Sequence, residues 1–198
     1  LKRDFSQWSL LTVTIALILA IPLFSILFNL FSGVGEMWNH IVSHYLFDFI
    51  RNSFILIIGT GLLTFFFGTS CAWFVSQYKF PLRKWIERLL FLPLAIPSYI
   101  VAYTYVGLFD NGGTIIRALQ AIGLPIQKID FMNIYGLIIV LSFSLFPYVY
   151  ASARVMFLGL PKSIYESSIL LGASNKRYFF SVALPLASPA IIGGLFLV

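Results

Sequence analysis

The sequence predicts an all-α integral membrane protein, a multi-span helical bundle, and three observations carry that reading. Of 198 residues, 60% are hydrophobic and 10% charged, against roughly 25% charged in a soluble domain. Five runs lack any charged residue, at 5–35, 52–78, 89–109, 131–153 and 178–198. The shortest holds 21 residues, about 31 Å of helix, enough to cross a hydrocarbon core of about 30 Å. Lysine and arginine then fall unevenly between the runs. Lys2, Arg3, Lys79, Arg83, Lys84, Arg88, Arg154, Lys162, Lys176 and Arg177 lie on one side, ten in all, and Arg51, Arg117 and Lys128 on the other. The positive-inside rule makes the ten-cation side cytoplasmic, with the N-terminus inside.

The elements follow in order. Residues 1–35 read as an N-terminal leader helix and 36–51 as an external interfacial segment, amphipathic and aromatic. The second run, 52–78, leads into a short basic cytoplasmic turn, 77–88, with Pro81 near its start. In the third run, LPLAIPSYIVAYTYVGLF, Pro93 and Pro97 stand four apart. Each removes a backbone donor, so a kink is expected there. The external segment 110–132 opens on the turn Asp110-Asn111-Gly112-Gly113, and Thr114 to Ile122 reads as a short helix stopped by Gly123 and Pro125. The fourth run precedes a polar, basic stretch from Pro161 to Pro185, PKSIYESSILLGASNKRYFFSVALP. There Ser163 and Glu166 have the spacing of an S-x-x-E capping box, which places a helix start at Ser163. Gly172 is placed to end that helix in a left-handed cap, and Ser174 to cap a second helix carrying Lys176 and Arg177. Two short helices joined at a glycine make a stiff knob on the membrane surface, suited to docking.

This stretch resembles the EAA loop of the permease subunits of binding-protein-dependent ABC importers, the MetI-like permease type. The family pattern is E-A-A, three residues, G, nine residues, then I-x-L-P. Here it stands as Glu166-Ser167-Ser168, then Gly172, then Val182-Ala183-Leu184-Pro185. Serines replace both alanines and valine the isoleucine, with every spacing kept. The resemblance implies an ATPase-coupling loop, 161–185, carried by Ser163, Glu166, Ser167, Ser168, Gly172, Leu184 and Pro185. It makes 52–198 an incomplete first half of a permease core. It further implies cytoplasmic ABC ATPase subunits, an extracytoplasmic substrate-binding protein and a second permease half, fused or separate. The location implied is the bacterial inner membrane, and the mechanism alternating access. The runs LPLAIPSYIVAYTYVGLFD and LFPYVYASARVMFLGLPKSIYESSILLGAS resemble most the permeases of ferric-iron importers. Permeases for thiamine, polyamines, sulfate or phosphonates share the loop and similar spans.

Other features are weighed beside that resemblance. Pro93 and Pro97 are candidates for a break that lines a translocation path, against plain packing irregularity. Tyr99 and Tyr103, four apart on one helix face, are candidates for the same path, against interfacial or packing aromatics. Glu36, His40 and His44 fall at i, i+4 and i+8, a set with transition-metal ligand chemistry. With no further ligand nearby in sequence they read as a solvated face, and no metal is expected. The chain is expected to bind no cofactor; ATP belongs to a partner subunit. No phosphate loop, H-E-x-x-H, C-x-x-C or G-x-S-x-G occurs, which argues against an enzyme. No carboxylate lies inside an apolar run, so an intramembrane proton relay lacks its parts. The net charge of +6 is scattered between apolar runs, which argues against nucleic acid. The single cysteine, Cys71, forms no internal disulfide. An ATPase-independent secondary transporter and a membrane-anchoring subunit are the competing readings; both leave the spacing from Glu166 to Pro185 as coincidence. Beginning at Leu1 and stopping within an apolar run, the chain is expected to be a fragment of a longer protein.

Overall fold

A computed structural model describes residues 7–30 and 36–198. Lys2, Arg3 and the two ends of the first apolar run lie outside the described residues. Among those described, all regular structure is helical. Contacts divide the chain into two units, Leu1–Ile50 and Arg51–Val198.

In the first unit, α1 (Gln7–Leu30) carries Pro22 in its interior, and no side chain between Trp8 and Phe28 is buried. Such a helix is dressed for acyl chains. Thr12 and Thr14 donate their hydroxyls to the carbonyls of Trp8 and Leu10, at 2.8 and 2.9 Å, so neither leaves an unpaired polar group in lipid. The short α2 (Glu36–His44) follows.

The second unit is organised around α7 (Ile134–Gly159), whose span is half buried. Asn133 caps it, its side chain accepting from the Gly136 N–H at 2.9 Å. Helix α3 (Leu46–Gln77) begins six residues before the uncharged run, taking in Asp48 and Arg51. From Arg51 onward it lies along α7 in the same direction. Gly59 meets Ile138, Phe67 lies tilted against Phe143 at 5.0 Å, Gly68 meets Val149, and Trp73 packs edge-on to Phe157 at 5.2 Å. Small residues on α3, namely Thr60, Thr64, Gly68, Thr69 and Ala72, are buried. They let the two backbones approach closely, as helices must where lipid supplies no hydrophobic drive. The hydroxyl of Thr64 turns back onto the Thr60 carbonyl at 2.8 Å.

The third run departs from a single kinked helix. It is broken into α4 (Arg83–Leu89), a 3-10 turn (Leu92–Ala95) and α5 (Ser98–Phe109), with a bend of 97° at the break. Pro93 sits in the 3-10 turn and Pro97 precedes α5 in extended conformation (φ −55°, ψ 134°). Two missing N–H groups four residues apart end one helix and start another instead of bending one. At 12 residues, α5 reaches only about 18 Å, yet the whole segment still traverses the bundle. Its start is held at the far end of α7 by an ion pair, Glu87 to Arg154, and by Phe91 against Tyr150 at 5.2 Å. Its end meets the beginning of α7, where Phe109 and Phe131 lie 4.6 Å apart. The broken run is therefore a crossing antiparallel to α7, not a loop returning to the side it left.

Past Phe109 the glycine turn forms as the sequence predicts. Gly112 takes φ +75° and the Gly113 N–H reaches the Asp110 carbonyl at 2.8 Å. Helix α6 (Thr114–Ala121) then ends before Gly123 at φ +87°. The basic turn after α3, by contrast, is largely helical, since α4 occupies 83–89. After α7 come α8 (Lys162–Leu170), α9 (Asn175–Tyr178), a π turn (Phe179–Ala183) and α10 (Leu184–Leu195). In the π turn the Leu184 N–H reaches back five residues to Phe179. Pro185 follows at once, and its ring would press on the Ser181 carbonyl in an ordinary turn. Pro189 inside α10 likewise frees the Pro185 carbonyl, which Ser188 Oγ satisfies at 2.7 Å. Ala187, Ile191 and Gly194 are the buried stripe of α10, and Gly194 lies on Val149 of α7.

Candidate functional site

The polar stretch after α7 folds as a compact elbow. Leu160 is extended (φ −65°, ψ 124°), as a residue before proline must be, and this ends α7. Pro161 then holds the N-cap position of α8, its carbonyl accepting from the Ile164 N–H at 3.1 Å. The expected capping box is therefore absent. Helix α8 starts two residues too early for it, Ser163 is the second helical residue, and no side chain caps the N-terminus. Proline fixes the start more locally than a serine hydroxyl can.

The other end of α8 closes as the sequence predicts. Gly172 adopts φ +82°. Its N–H reaches the Ile169 carbonyl at 2.9 Å, and the Ala173 N–H reaches Ser168 at 3.0 Å. These two bonds are the Schellman pair. Ser174 Oγ then accepts from the Arg177 N–H at 3.3 Å and starts α9. The two arms are braced by Tyr165, whose ring meets Tyr178 edge-on at 5.1 Å while its hydroxyl donates to Asn175 Oδ1 at 3.1 Å. Tyr178 is buried, and Trp73 packs on both it and Phe179, at 6.0 and 4.7 Å. An aromatic chain thus runs from the elbow into α3 and, through Phe157, into α7. The shape of the elbow is set by Pro161, Gly172 and this brace.

Of the coupling-loop candidates, Ser163, Glu166, Ser167, Ser168 and Gly172 come together on α8 and its cap. Leu184 and Pro185 do not join them. They lie past the π turn at the head of α10, where Leu184 packs against the buried core. Glu166 is exposed on the rim of a cavity of about 240 Å³ that Gln77, Pro161, Tyr165 and Tyr178 also line. Two side chains outside the predicted set are the most prominent. Leu170 and Leu171, directly before the cap glycine, are each 88% exposed at the elbow's tip. No motif marks them in the sequence, where Ile169 makes the run three apolar residues long, and only their exposure in the fold sets them apart.

Tyr99 and Tyr103 are 73% and 82% exposed on α5. Tyr105 instead packs between Phe109 and Phe131. Any path that Tyr99 and Tyr103 border lies outside the packed interior of this chain. On α2, His40 and His44 stack at 4.6 Å, and Ser43 Oγ lies 2.6 Å from His44 Nδ1; the Glu36 side chain lies outside the described residues. The ion pair of Glu87 with Arg154 was not foreseen. It joins α4 to α7 at the same end of the bundle as the elbow, where Gln77 Nε2 also donates to the Phe157 carbonyl at 3.3 Å.

The brace gives a graded expectation. Tyr165→Phe removes one exposed hydrogen bond and is expected to cost about 0.5–1 kcal/mol. Tyr165→Ala also removes the ring from Tyr178 and is expected to cost about 2–3 kcal/mol. Thermal unfolding in detergent measures both, and equal losses would show that the ring contact does not hold the elbow.

Comparison with known proteins returns a consistent group. Residues 64–198 match the family described as binding-protein-dependent transport system inner membrane component. The chain is 29% identical over 134 residues to the probable sulfate transport system permease protein cysT of Chlorokybus atmophyticus, covering 68% of this chain and 46% of that protein. It is 26% identical over 197 residues to the molybdate/tungstate transport system permease protein WtpB of Thermococcus kodakarensis, covering 98% and 72%. With the sulfate transport system permease protein CysT of Escherichia coli it shares 25% over 185 residues, covering 91% and 64%. The chain spans about half the length of the first curated relatives it matches, 46% and 51% in two of them.

Proposed function

Because the chain belongs to the family of binding-protein-dependent transport system inner membrane components, we propose that it is the permease part of an ATP-driven importer for a small inorganic ion. The observation that carries this is the elbow. A capped, aromatically braced projection bears two bare leucines at its tip and is rooted in three helices of the bundle. It suits seating in a groove on a nucleotide-driven subunit and passing that subunit's closure on to α3, α7 and α10. Glu166, exposed on the same short helix, adds a charge for register at such a contact. The break at Pro93 and Pro97 and the outward Tyr99 and Tyr103 face supply a path wall toward a second permease half. A binding protein delivers the cargo to the opposite end of the bundle.

For the cargo, the relatives' names speak of sulfate and of molybdate/tungstate, which supports a tetrahedral oxyanion. The ferric-iron expectation draws no support from these relatives; it rests on the resemblance of the third and fourth runs. The test is uptake into proteoliposomes holding the full transporter with its ATPase and binding protein, offered radiolabelled sulfate, molybdate or ferric iron. ATP-dependent accumulation of one of the three is expected. Accumulation without ATP, driven by an ion gradient, would overturn the importer reading.

A further inference from the structure

We propose that α4 and the turn before it form a binding site for anionic phospholipid headgroups, at the end of the bundle that carries the elbow. Between Tyr78 and Leu92 the chain has four cations, Lys79, Arg83, Lys84 and Arg88, and one acid, Glu87. The structure pairs that acid, whose side chain is 29% exposed, with a cation of the bundle. Glu87 turns inward to pair with Arg154 of α7, so the outer side of α4 is left purely cationic. Lys79, Lys84 and Arg88 are exposed and Arg83 is half-buried.

Between these cations runs an apolar stripe at helical spacing. Leu82, Trp85 and Leu89 are 70%, 63% and 57% exposed, and the Arg88 guanidinium lies 6.0 Å from the Trp85 ring. Leu82 is the single described non-glycine residue at positive φ, 63°. The left-handed turn strains Leu82 in any surroundings, whereas its exposed side chain is unfavourable only in water. Against acyl chains its exposure carries no penalty. Tryptophan beside arginine is the usual occupant of the headgroup layer, and clustered lysine and arginine next to a span attract anionic lipid through the phosphate. An acidic protein surface would match the charges but would leave Leu82, Trp85 and Leu89 without the depth of apolar contact that a bilayer offers. The inference requires only that the bundle spans a bilayer. It is independent of ATP coupling.

The experiment reads Trp85 in the full-length protein, reconstituted in phosphatidylcholine vesicles containing a minority of phosphatidylglycerol, with bromine on the chains of one lipid or the other. The quenching difference between the unaltered protein and Trp85→Phe isolates this one indole. At equal bromine content, brominated phosphatidylglycerol is expected to quench Trp85 at least about twofold more than brominated phosphatidylcholine. The preference is expected to shrink in high salt. It should vanish in K79Q/R83Q/K84Q/R88Q, which neutralises three exposed cations and the half-buried Arg83. Equal quenching by both lipids would overturn the site, leaving an unselective interfacial tryptophan. Absence of quenching by either would overturn it in favour of a protein contact, and a preference that survives neutralisation would remove the four cations from the account. No nucleotide or binding protein is present, so these outcomes are separate from the fate of the importer reading.

Discussion

Leu170→Asp/Leu171→Asp is expected, on the proposed importer function, to abolish retention of an ATPase subunit by the purified protein, while its amount in the membrane stays unchanged. Both side chains are 88% exposed, so neither contributes to packing within the chain. Burying a leucine against a partner stabilises by about 1.5–3 kcal/mol. Losing two of them costs about 3–6 kcal/mol, a hundredfold or more in affinity, before the cost of placing carboxylates in an apolar seat. Co-purification at increasing salt measures this, with Glu166→Gln as the comparison. Glutamine keeps the size of the side chain and removes only a charge at an exposed position, so its loss is expected to be smaller and salt-sensitive. Undiminished ATPase in the double aspartate variant would mean that the tip is not the docking surface.

Gly68→Leu is expected to have the largest effect on folding. A Cβ at Gly68 would stand 2.7 Å from Val149 Cβ and 3.0 Å from the Phe146 carbonyl oxygen. Both atoms belong to the body of α7, so no flexible side-chain end can move aside. Overpacking usually costs about 1–3 kcal/mol, and separating α3 from α7 places this substitution at or above the top of that range. Gly61→Ala is the paired control. Nothing lies within 4 Å of its Cβ direction, and alanine is preferred over glycine in a helix by about 0.5–1 kcal/mol. The expected result is a lowered unfolding temperature and aggregation on gel filtration for Gly68→Leu, with Gly61→Ala at or above the unaltered protein. Similar behaviour of the two would mean that the close approach of α3 and α7 does not hold the bundle together.

Much of this architecture is legible in the residues because lipid imposes few solutions. Uncharged runs of 21 residues or more must be helices or barrel strands, and the cation count orders them. Gly112, Gly123 and Gly172 were readable since each stands where a helix or turn needs positive φ. What escaped reading was settled by competition between neighbours. Ser163 and Glu166 have capping-box spacing, but Pro161 starts the helix first. Pro93 and Pro97 indicated an irregularity, but whether two prolines kink a helix or divide it depends on what receives the halves. Here Arg154 and Tyr150 hold one part and Phe131 the other. That Glu87 faces inward could not be seen from α4 alone, because its partner lies 67 residues away. Among the candidate residues, Ser163, Glu166, Ser167 and Ser168 share α8 and Gly172 follows as its cap, a closeness that the motif spacing implies. Leu170 and Leu171 stand out only by their exposure, which the folded chain displays and the sequence does not.

The π turn at Phe179–Ala183 sets the rotational phase of everything after it. One additional residue in a turn advances a helix by about 100°, so the stripe of Ala187, Ile191 and Gly194 faces α7 only because that residue is there. Had the chain wound evenly from Tyr178, the same stripe would be turned about 100° away from α7. A twist applied at the elbow therefore reaches α10 through a joint that already holds an angular offset, and tightening or loosening that joint by one hydrogen-bond register would turn the last helix about its own axis without lengthening it.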